Sequence, residues 1–141
     1  MIVPRARGLS KTNLPSVVFN NINSLGLTNP GGITGRKAKV IQLVSSLVST
    51  HDITCLQDIR VPSQKLITEL YPFFPRHKFY VSSSDDAYRG GTLIIVTPKI
   101  IDNYVIEHNV VYKGNIHHIT LTHRTDNSKL RVVNCYLHAS I

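Results

Sequence analysis

Polar residues close three apolar runs of the sequence, and their side chains are of the kind that bind hard cations. The run VVF at residues 17–19 is followed by Asn21 and Asn23, and DITCLQ at residues 52–57 is followed by Asp58. The last run ends in three polar residues at alternate positions: Asn134, Tyr136 and His138. Carboxylate and amide oxygens suit Mg²⁺, which one or two carboxylates hold while it keeps several waters. Any one of these Asn or Asp residues alone is an ordinary turn former, but the strand ends taken together indicate a cation site.

The elements that must position these residues are mostly strands, with one early helix. Apolar residues that share one helical face predict a helix over residues 37–50, and a short amphipathic helix is expected around residues 64–71. Strands are predicted at the two runs that flank the first helix and at five later runs rich in Val, Ile, Thr and Tyr: 78–83, 90–96, 103–114, 117–123 and 129–137. A hairpin turn is expected at residues 113–115. This order predicts an α+β fold with one crossover and then a largely antiparallel meander.

Composition limits the class of protein. The 141 residues suit one domain, and 16 Lys and Arg against 8 Asp and Glu give a net charge of +8. This charge favours acidic partners such as nucleic acid or an anionic membrane surface, with solubility alone as the alternative. No apolar run approaches the roughly 20 residues that span a bilayer. Cys55 and Cys135 both lie in apolar runs and are predicted to be buried structural thiols.

Residues 1–14 read as a basic, flexible leader. They carry Arg5, Arg7 and Lys11 but no apolar segment of the secretory type, so we expect no signal peptide. The sequence therefore predicts an intracellular protein, for which the nucleus is one location.

Four motifs occur in an order and at intervals that resemble the endonuclease/exonuclease/phosphatase superfamily: NINSL at 21–25, DITCLQDIRV at 52–61, RGGTLIIV at 89–96 and RVVNCYLHA at 131–139. This superfamily includes apurinic-site endonucleases and the endonucleases of non-LTR retrotransposons. The resemblance implies the DNase I-like fold, a four-layer α/β sandwich. The later Asp-x-Asn and Ser-Asp-His motifs of the family are missing from this sequence. Residues 15–141 would therefore form a partial domain, the first half of the sandwich, without the C-terminal half.

The same resemblance implies roles for individual residues. Asn21 and Asn23 would help to position the metal and the scissile phosphate, and Tyr136 would hydrogen-bond the phosphate or orient the attacking water. Asp58 would be the metal ligand, at a position where the family usually has Glu, so its carboxylate is carried on an arm shorter by one methylene. The implied cofactor is Mg²⁺ or Mn²⁺. The sequence departs from the family pattern after Tyr136, because it has His138-Ala139 where members of the family commonly have Pro-Asn.

Basic residues beside the predicted strands are expected to contact nucleic acid on the substrate side: Arg60, Lys65, Arg76, Lys78 and Arg89. Arg89 and Arg60 are the preferred phosphate contacts. Contacts of this kind position nucleic acid without reading its sequence. Tyr88 either stacks on a base or caps the sheet. His117, His118 and His123 are interpreted as surface or edge residues.

The function that best unites these features is the N-terminal portion of a divalent-metal-dependent endonuclease domain that hydrolyses DNA phosphodiester bonds. The resemblance favours a retroelement polyprotein as its source, with DNA and the remainder of the polyprotein as partners, no membrane association, and no activity in the isolated chain. Two alternatives stay open. One is a phosphatase of the same superfamily that acts on inositol phosphates or lipids, and the other is a degenerate, non-catalytic fragment that binds nucleic acid.

Overall fold

The computed structural model describes residues 14–26, 36–83 and 89–137. Within these ranges the early elements are β1 (Val17–Asn21), α1 (Arg36–Thr50), β2 (Ile53–Gln57), α2 (Ser63–Lys65, continued by a π-helical turn at Leu66–Leu70 and a 3-10 turn at Tyr71–Phe73) and β3 (Lys78–Ser82). They are followed by β4 (Thr92–Val96), α3 (Pro98–Asn103), β5 (Tyr104–Tyr112), β6 (Ile116–His123) and β7 (Lys129–Cys135). The predicted strands and the early helix are confirmed, whereas α3 was not predicted. The proposed leader lies almost entirely outside the described residues.

The described strands form two sheets. The first has the order β1-β2-β4-β3, in which β1 and β2 are parallel and the other pairs are antiparallel. Two parallel neighbours need a crossover connection, and α1 lies in it. The second sheet is the antiparallel meander β5-β6-β7, with the predicted hairpin turn at residues 113–115.

Two apolar cores separate three layers. The first core lies between the helices and the first sheet, and it includes Val44 and Val48 of α1 with Leu56 and Leu93 of the sheet. The second core lies between the two sheets, where β2 and β4 face β6 and β7. All five residues of β2 and all five of β4 are buried, as expected for central strands covered on both faces.

The two cysteines differ in their surroundings. Cys55 is buried between the sheets, and burial raises its pKa to about 12, as predicted for a structural thiol. Cys135 is exposed, so the expectation of a second buried thiol was wrong. The reason is strand alternation, since Asn134 points inward on β7 and its neighbour Cys135 must point outward.

One apolar groove lies where β1, at the end of the first sheet, approaches β7, at the end of the second. Its cavity volume is about 420 Å³, and its lining includes Leu14, Phe19 and Val133. These three side chains are between 43% and 52% exposed. Among the helices that the structure describes, none is long and apolar enough to cross a membrane.

Candidate functional site

The polar strand ends meet at one edge of the first sheet. Asn21 at the end of β1 pairs with Gln57 at the end of β2, because these strands are parallel. Thr92 at the start of the antiparallel β4 also pairs with Gln57. The segments that follow β1 and β2 and the segment that precedes β4 therefore emerge side by side.

Backbone hydrogen bonds continue this pairing beyond the strands. The Ser24 N–H donates to the Asp58 carbonyl over 2.8 Å, and the Arg60 N–H donates to the Gly90 carbonyl over 2.9 Å. The Ile59 N–H likewise donates to the Gly91 carbonyl over 3.1 Å. Residues 58–60 are thus held between two neighbouring segments, which fixes where their side chains point.

The backbone in these segments repeatedly adopts the left-handed region. Asn23, Asp58 and Arg60 have φ values of 52°, 57° and 53°. Asn and Asp tolerate this conformation better than most residues, and the Asn21 side chain supports it by accepting a 3.0 Å hydrogen bond from the Asn23 N–H. The asparagines that end β1 therefore have a local structural role, which sequence alone could not separate from a role in binding.

Asp58, Arg60 and Asn23 form one hydrogen-bonded cluster at this edge. The Arg60 guanidinium donates from Nε to Asp58 Oδ1 over 3.0 Å and from Nη2 to Asp58 Oδ2 over 2.8 Å. The same Nη2 donates to Asn23 Oδ1 over 2.7 Å. The Gly90 N–H gives Asp58 Oδ1 a further hydrogen bond of 3.0 Å. The Asp58 side chain is 3% exposed and that of Arg60 is 37% exposed, so the cluster has a buried anion below a partly exposed cation.

The electrostatics of the cluster favour the charged arginine. The hydrogen bond to Asp58 raises the pKa of Arg60, and charge interactions with Asp58 and Tyr136 raise it further against the effect of burial. Tyr136 is therefore near enough to Arg60 to interact with it electrostatically. Its backbone is anchored to the hairpin turn, where the Tyr136 N–H donates to the Asn115 carbonyl over 2.7 Å and the Asn115 side chain donates back over 2.8 Å.

A buried polar network lies directly beneath this cluster, and sequence reasoning missed it. Gln57 Nε2 donates to Asn134 Oδ1 over 2.7 Å, and Asn134 Nδ2 lies 3.1 Å from the Leu56 and Leu93 carbonyls and 3.2 Å from His117 Nε2. The available signal in the sequence is that Asn134 lies two residues after Val132, so that the two share one face of β7, and both are buried.

His117 extends the network to the second sheet. Its Nδ1 is 2.9 Å from His108 Nε2, and its side chain is fully buried. The interpretation of His117 as a surface or edge residue was therefore wrong, because the face of β6 that carries it packs against the first sheet. Burial, together with the nearby His108 and His118, lowers the pKa of His117 to about 3, so the imidazole is neutral at neutral pH.

The predicted basic residues divide between the two ends of the first sheet. Arg60 lies in the cluster, and Arg89 is exposed next to Gly90. Lys78 pairs with Val96 at the opposite edge, and Arg76 precedes it in the turn, so the expectation that these two face the substrate side was wrong. The reason is the direction of β3, whose last residue, Ser82, pairs with Thr92 near the cluster, so that its first residue, Lys78, lies at the other end of the sheet. Tyr88 and His138 lie outside the described residues.

The cluster contains oxygen atoms of the kind that bind cations, and the Arg60 guanidinium lies where a bound cation would contact them. Asn23 Oδ1 and Asp58 Oδ2 both contact the single atom Nη2 of Arg60. A carboxylate and an amide oxygen that converge in this way are suitable partners for Mg²⁺. Across the part of the chain that the structure describes, no group of three or more His, Cys, Asp or Glu residues could hold a metal ion. Water and further ligands would have to complete the coordination of an ion there.

Comparison with known proteins shows the fold. No family model matches the chain, and no curated protein matches it significantly. Among solved structures, the human Nocturnin catalytic domain with bound sulfate anion is similar, with a TM-score of 0.56 and 14% identity over 89% of this chain. TDP2 from C. elegans is also similar, with a TM-score of 0.54 and 23% identity over 88% of this chain. The chain spans 51% of the first of these structures and 36% of the second.

Both structures are DNase I-like, and their likeness to this chain rests on the arrangement of strands and helices rather than on sequence identity. The α+β architecture predicted from the order of strands and helices is therefore confirmed. The chain has the DNase I-like fold, and it spans about half of the length of the first structure and a smaller share of the second.

Proposed function

We propose that this chain supplies the first half of the active site of a divalent-cation-dependent phosphodiesterase that cleaves DNA. The observation that carries the proposal is the convergence of Asp58, Asn23 and Arg60 at one edge of a DNase I-like sheet. A carboxylate and an amide oxygen can bind a cation, and a guanidinium can bind a phosphate. A catalytic domain of the same fold was solved with a bound sulfate, which supports the fold as a frame for anion binding.

Asp58 and Asn23 would hold the cation, which would supply charge stabilisation on the phosphate and the leaving oxygen. The anionic oxygen of Asp58 contributes most of the attraction, because an amide oxygen carries only a partial charge. Asn21 positions Asn23 through the hydrogen bond to its backbone. Tyr136, whose backbone carbonyl accepts a hydrogen bond from the Asn115 side chain, would hydrogen-bond a phosphate oxygen.

The basic residues around the cluster support nucleic acid as the substrate. Arg89 directly precedes Gly90, whose N–H donates to Asp58, and the whole chain carries a net charge of +8. Contacts of this kind attach a phosphate backbone regardless of base sequence. The origin in a retroelement polyprotein rests on the order of the four motifs alone and forms part of the proposal.

Nicking of supercoiled plasmid in the presence of Mg²⁺ or Mn²⁺ tests the proposal. We expect no nicking by residues 1–141 alone, and nicking by the longest natural polypeptide that contains them. Asp58→Ala should abolish that activity, whereas Asp58→Glu should preserve or increase it, because the longer arm restores the residue that is usual in the family. Cleavage that is as fast with Asp58→Ala as with the parent would remove the metal-site assignment.

The non-catalytic alternative is favoured by one observation, the ion pair that engages both carboxylate oxygens of Asp58. If that pair is permanent, the chain binds nucleic acid through its basic surface and does not cleave it. Under that alternative, DNA binding is expected to be unchanged by Asp58→Ala and independent of Mg²⁺.

A further inference from the structure

We propose that Arg60 is an internal occupant of the cation position, so that a divalent cation binds Asp58 and Asn23 only when the guanidinium leaves them. This inference rests on the proposed function, because it concerns the same site. Arg60 would set the affinity of the site for the cation, and its guanidinium would exchange Asp58 and Asn23 for another partner when the cation binds.

The geometry places the guanidinium where a shared ion would lie. Nη2 of Arg60 contacts Asp58 Oδ2 at 2.8 Å and Asn23 Oδ1 at 2.7 Å, and these are the two oxygens assigned to the cation. Nε takes the other oxygen of the same carboxylate. Two-point contacts between arginine and a carboxylate are among the stronger side-chain hydrogen bonds, so the pair is a real competitor for a metal ion.

Charge balance gives the same result. With Arg60 in place, the cluster of Asp58 and Arg60 has no net charge, and a divalent cation gains little from approaching it. Without the guanidinium, Asp58 is a buried carboxylate that still accepts a hydrogen bond from the Gly90 N–H. A buried anion without a counter-ion is costly, and a divalent cation would replace the lost one.

The arginine is free to move in a way that the aspartate is not. The Asp58 side chain is 3% exposed, while that of Arg60 is 37% exposed, so the guanidinium can rotate into solvent without opening a cavity. The Arg60 backbone stays in place through its N–H bond to the Gly90 carbonyl. A displaced guanidinium would remain beside the site, where a phosphate group is a suitable new partner.

Binding of Mn²⁺ to residues 1–141, followed by the electron paramagnetic resonance signal of free Mn²⁺, tests this inference without any cleavage assay. We expect Arg60→Gln to bind Mn²⁺ roughly tenfold more tightly than the parent. The matched control Arg76→Gln removes the same charge at the opposite edge of the sheet and should stay within about twofold of the parent, since exposed distant charges are screened. Adding Asp58→Asn to Arg60→Gln should abolish the gain.

A variant that keeps the charge guards against loss of folding in Arg60→Gln. Arg60→Lys retains a cation but lacks the two-point fork, so its Mn²⁺ affinity should lie between those of the parent and Arg60→Gln. The inference is overturned if the Arg60 variants bind Mn²⁺ no more tightly than Arg76→Gln, or if none of these proteins binds it. Tight binding by Arg60→Gln together with a failure of the longer polypeptide to nick DNA would uphold the inference and reject the proposed function.

Discussion

Gln57 donates a 2.7 Å hydrogen bond to Asn134 across the interior of the molecule, between strands that belong to different sheets. Gln57 is the last residue of β2 and directly precedes Asp58. Asn134 lies in β7, two residues before Tyr136. The bond therefore links the two sheets just below the cluster, and it connects the strand that carries Asp58 to the strand that leads to Tyr136.

Asn134→Ala should destabilise the protein by about 3 kcal/mol, because it removes a hydrogen bond from each of several buried polar groups. The affected groups are the amide of Gln57 and the carbonyls of Leu56 and Leu93. Urea unfolding measures the change. Asn109→Ala, at an exposed position of β5, is the control and should cost less than about 0.5 kcal/mol. Equal effects of the two substitutions would show that the network contributes nothing particular to stability.

Stability should fall as the solution is acidified below about pH 6.5, because His117 is buried in its neutral form. Its pKa in the folded protein is about 3, so between these values the unfolded chain binds more protons than the folded one. The contribution of neutral His117 to the free energy of unfolding is therefore fully present above pH 6.5. It is lost at up to about 1.4 kcal/mol per pH unit as the pH falls below that value. Burial also lowers the pKa of His108, so this neighbour acts in the same direction.

Urea unfolding at pH 7 and at pH 5 measures this dependence in the parent and in His117→Gln. The variant should lose less stability between the two pH values than the parent does. His123→Gln, a partly exposed histidine at the far end of β6, should behave like the parent. A free energy of unfolding that is the same at both pH values in the parent would contradict the assignment of His117 as a buried neutral group.

Gly91→Ala should destabilise the protein by about 1–3 kcal/mol. Gly91 has a φ of 86°, and an added Cβ would lie 2.9 Å from Ile59 Cγ1. Because Ile59 stands between Asp58 and Arg60, the contact would also disturb the cluster. A double-mutant cycle isolates the clash, since Gly91→Ala should cost less in an Ile59→Ala background. An unchanged cost there would mean that the contact with Ile59 has no part in the effect.

The apolar groove between β1 and β7 should make the isolated chain self-associate. Phe19 is 52% exposed and Val133 is 45% exposed there, and open strand edges of this kind favour association. Sedimentation velocity should show oligomers that diminish in Phe19→Ser. Phe73→Ser removes a side chain that is 57% exposed elsewhere and serves as the control. A parent that remains monomeric at every accessible concentration would refute this expectation.

Sequence patterns predicted most of the fold because the strands are separated by clear turn signals and α1 has an apolar face. The helix α3 was missed because Ile100 and Ile101 continue an apolar run that suits a strand equally well. The outward orientation of Cys135 and the burial of His117 could not be predicted from alternation alone. Alternation shows which residues share a face, but packing of the second sheet decides which face is covered.

Sequence reasoning placed Asn23, Asp58 and Arg60 in the candidate site, yet it did not predict that Arg60 binds the other two. This contact depends on left-handed backbone at Asp58 and Arg60, which is held by hydrogen bonds to Gly90 and Gly91. Those bonds join residues about thirty positions apart in the chain, so no local pattern contains them. The roles of Asn21, Tyr136 and Arg89 in catalysis or DNA binding stay predictions.

Paramagnetic broadening of amide signals by Mn²⁺ tests most directly whether Asp58 and Asn23 form a cation site. In residues 1–141, we expect broadening centred on residues 22–24, 58–60 and 90–91, and none near Asp126 in the turn between β6 and β7. Asp58→Asn should abolish it, and Arg60→Gln should produce it at lower Mn²⁺ concentration. Broadening that is centred elsewhere, or that survives Asp58→Asn unchanged, would contradict the assignment of this cluster as the metal site of a phosphodiesterase.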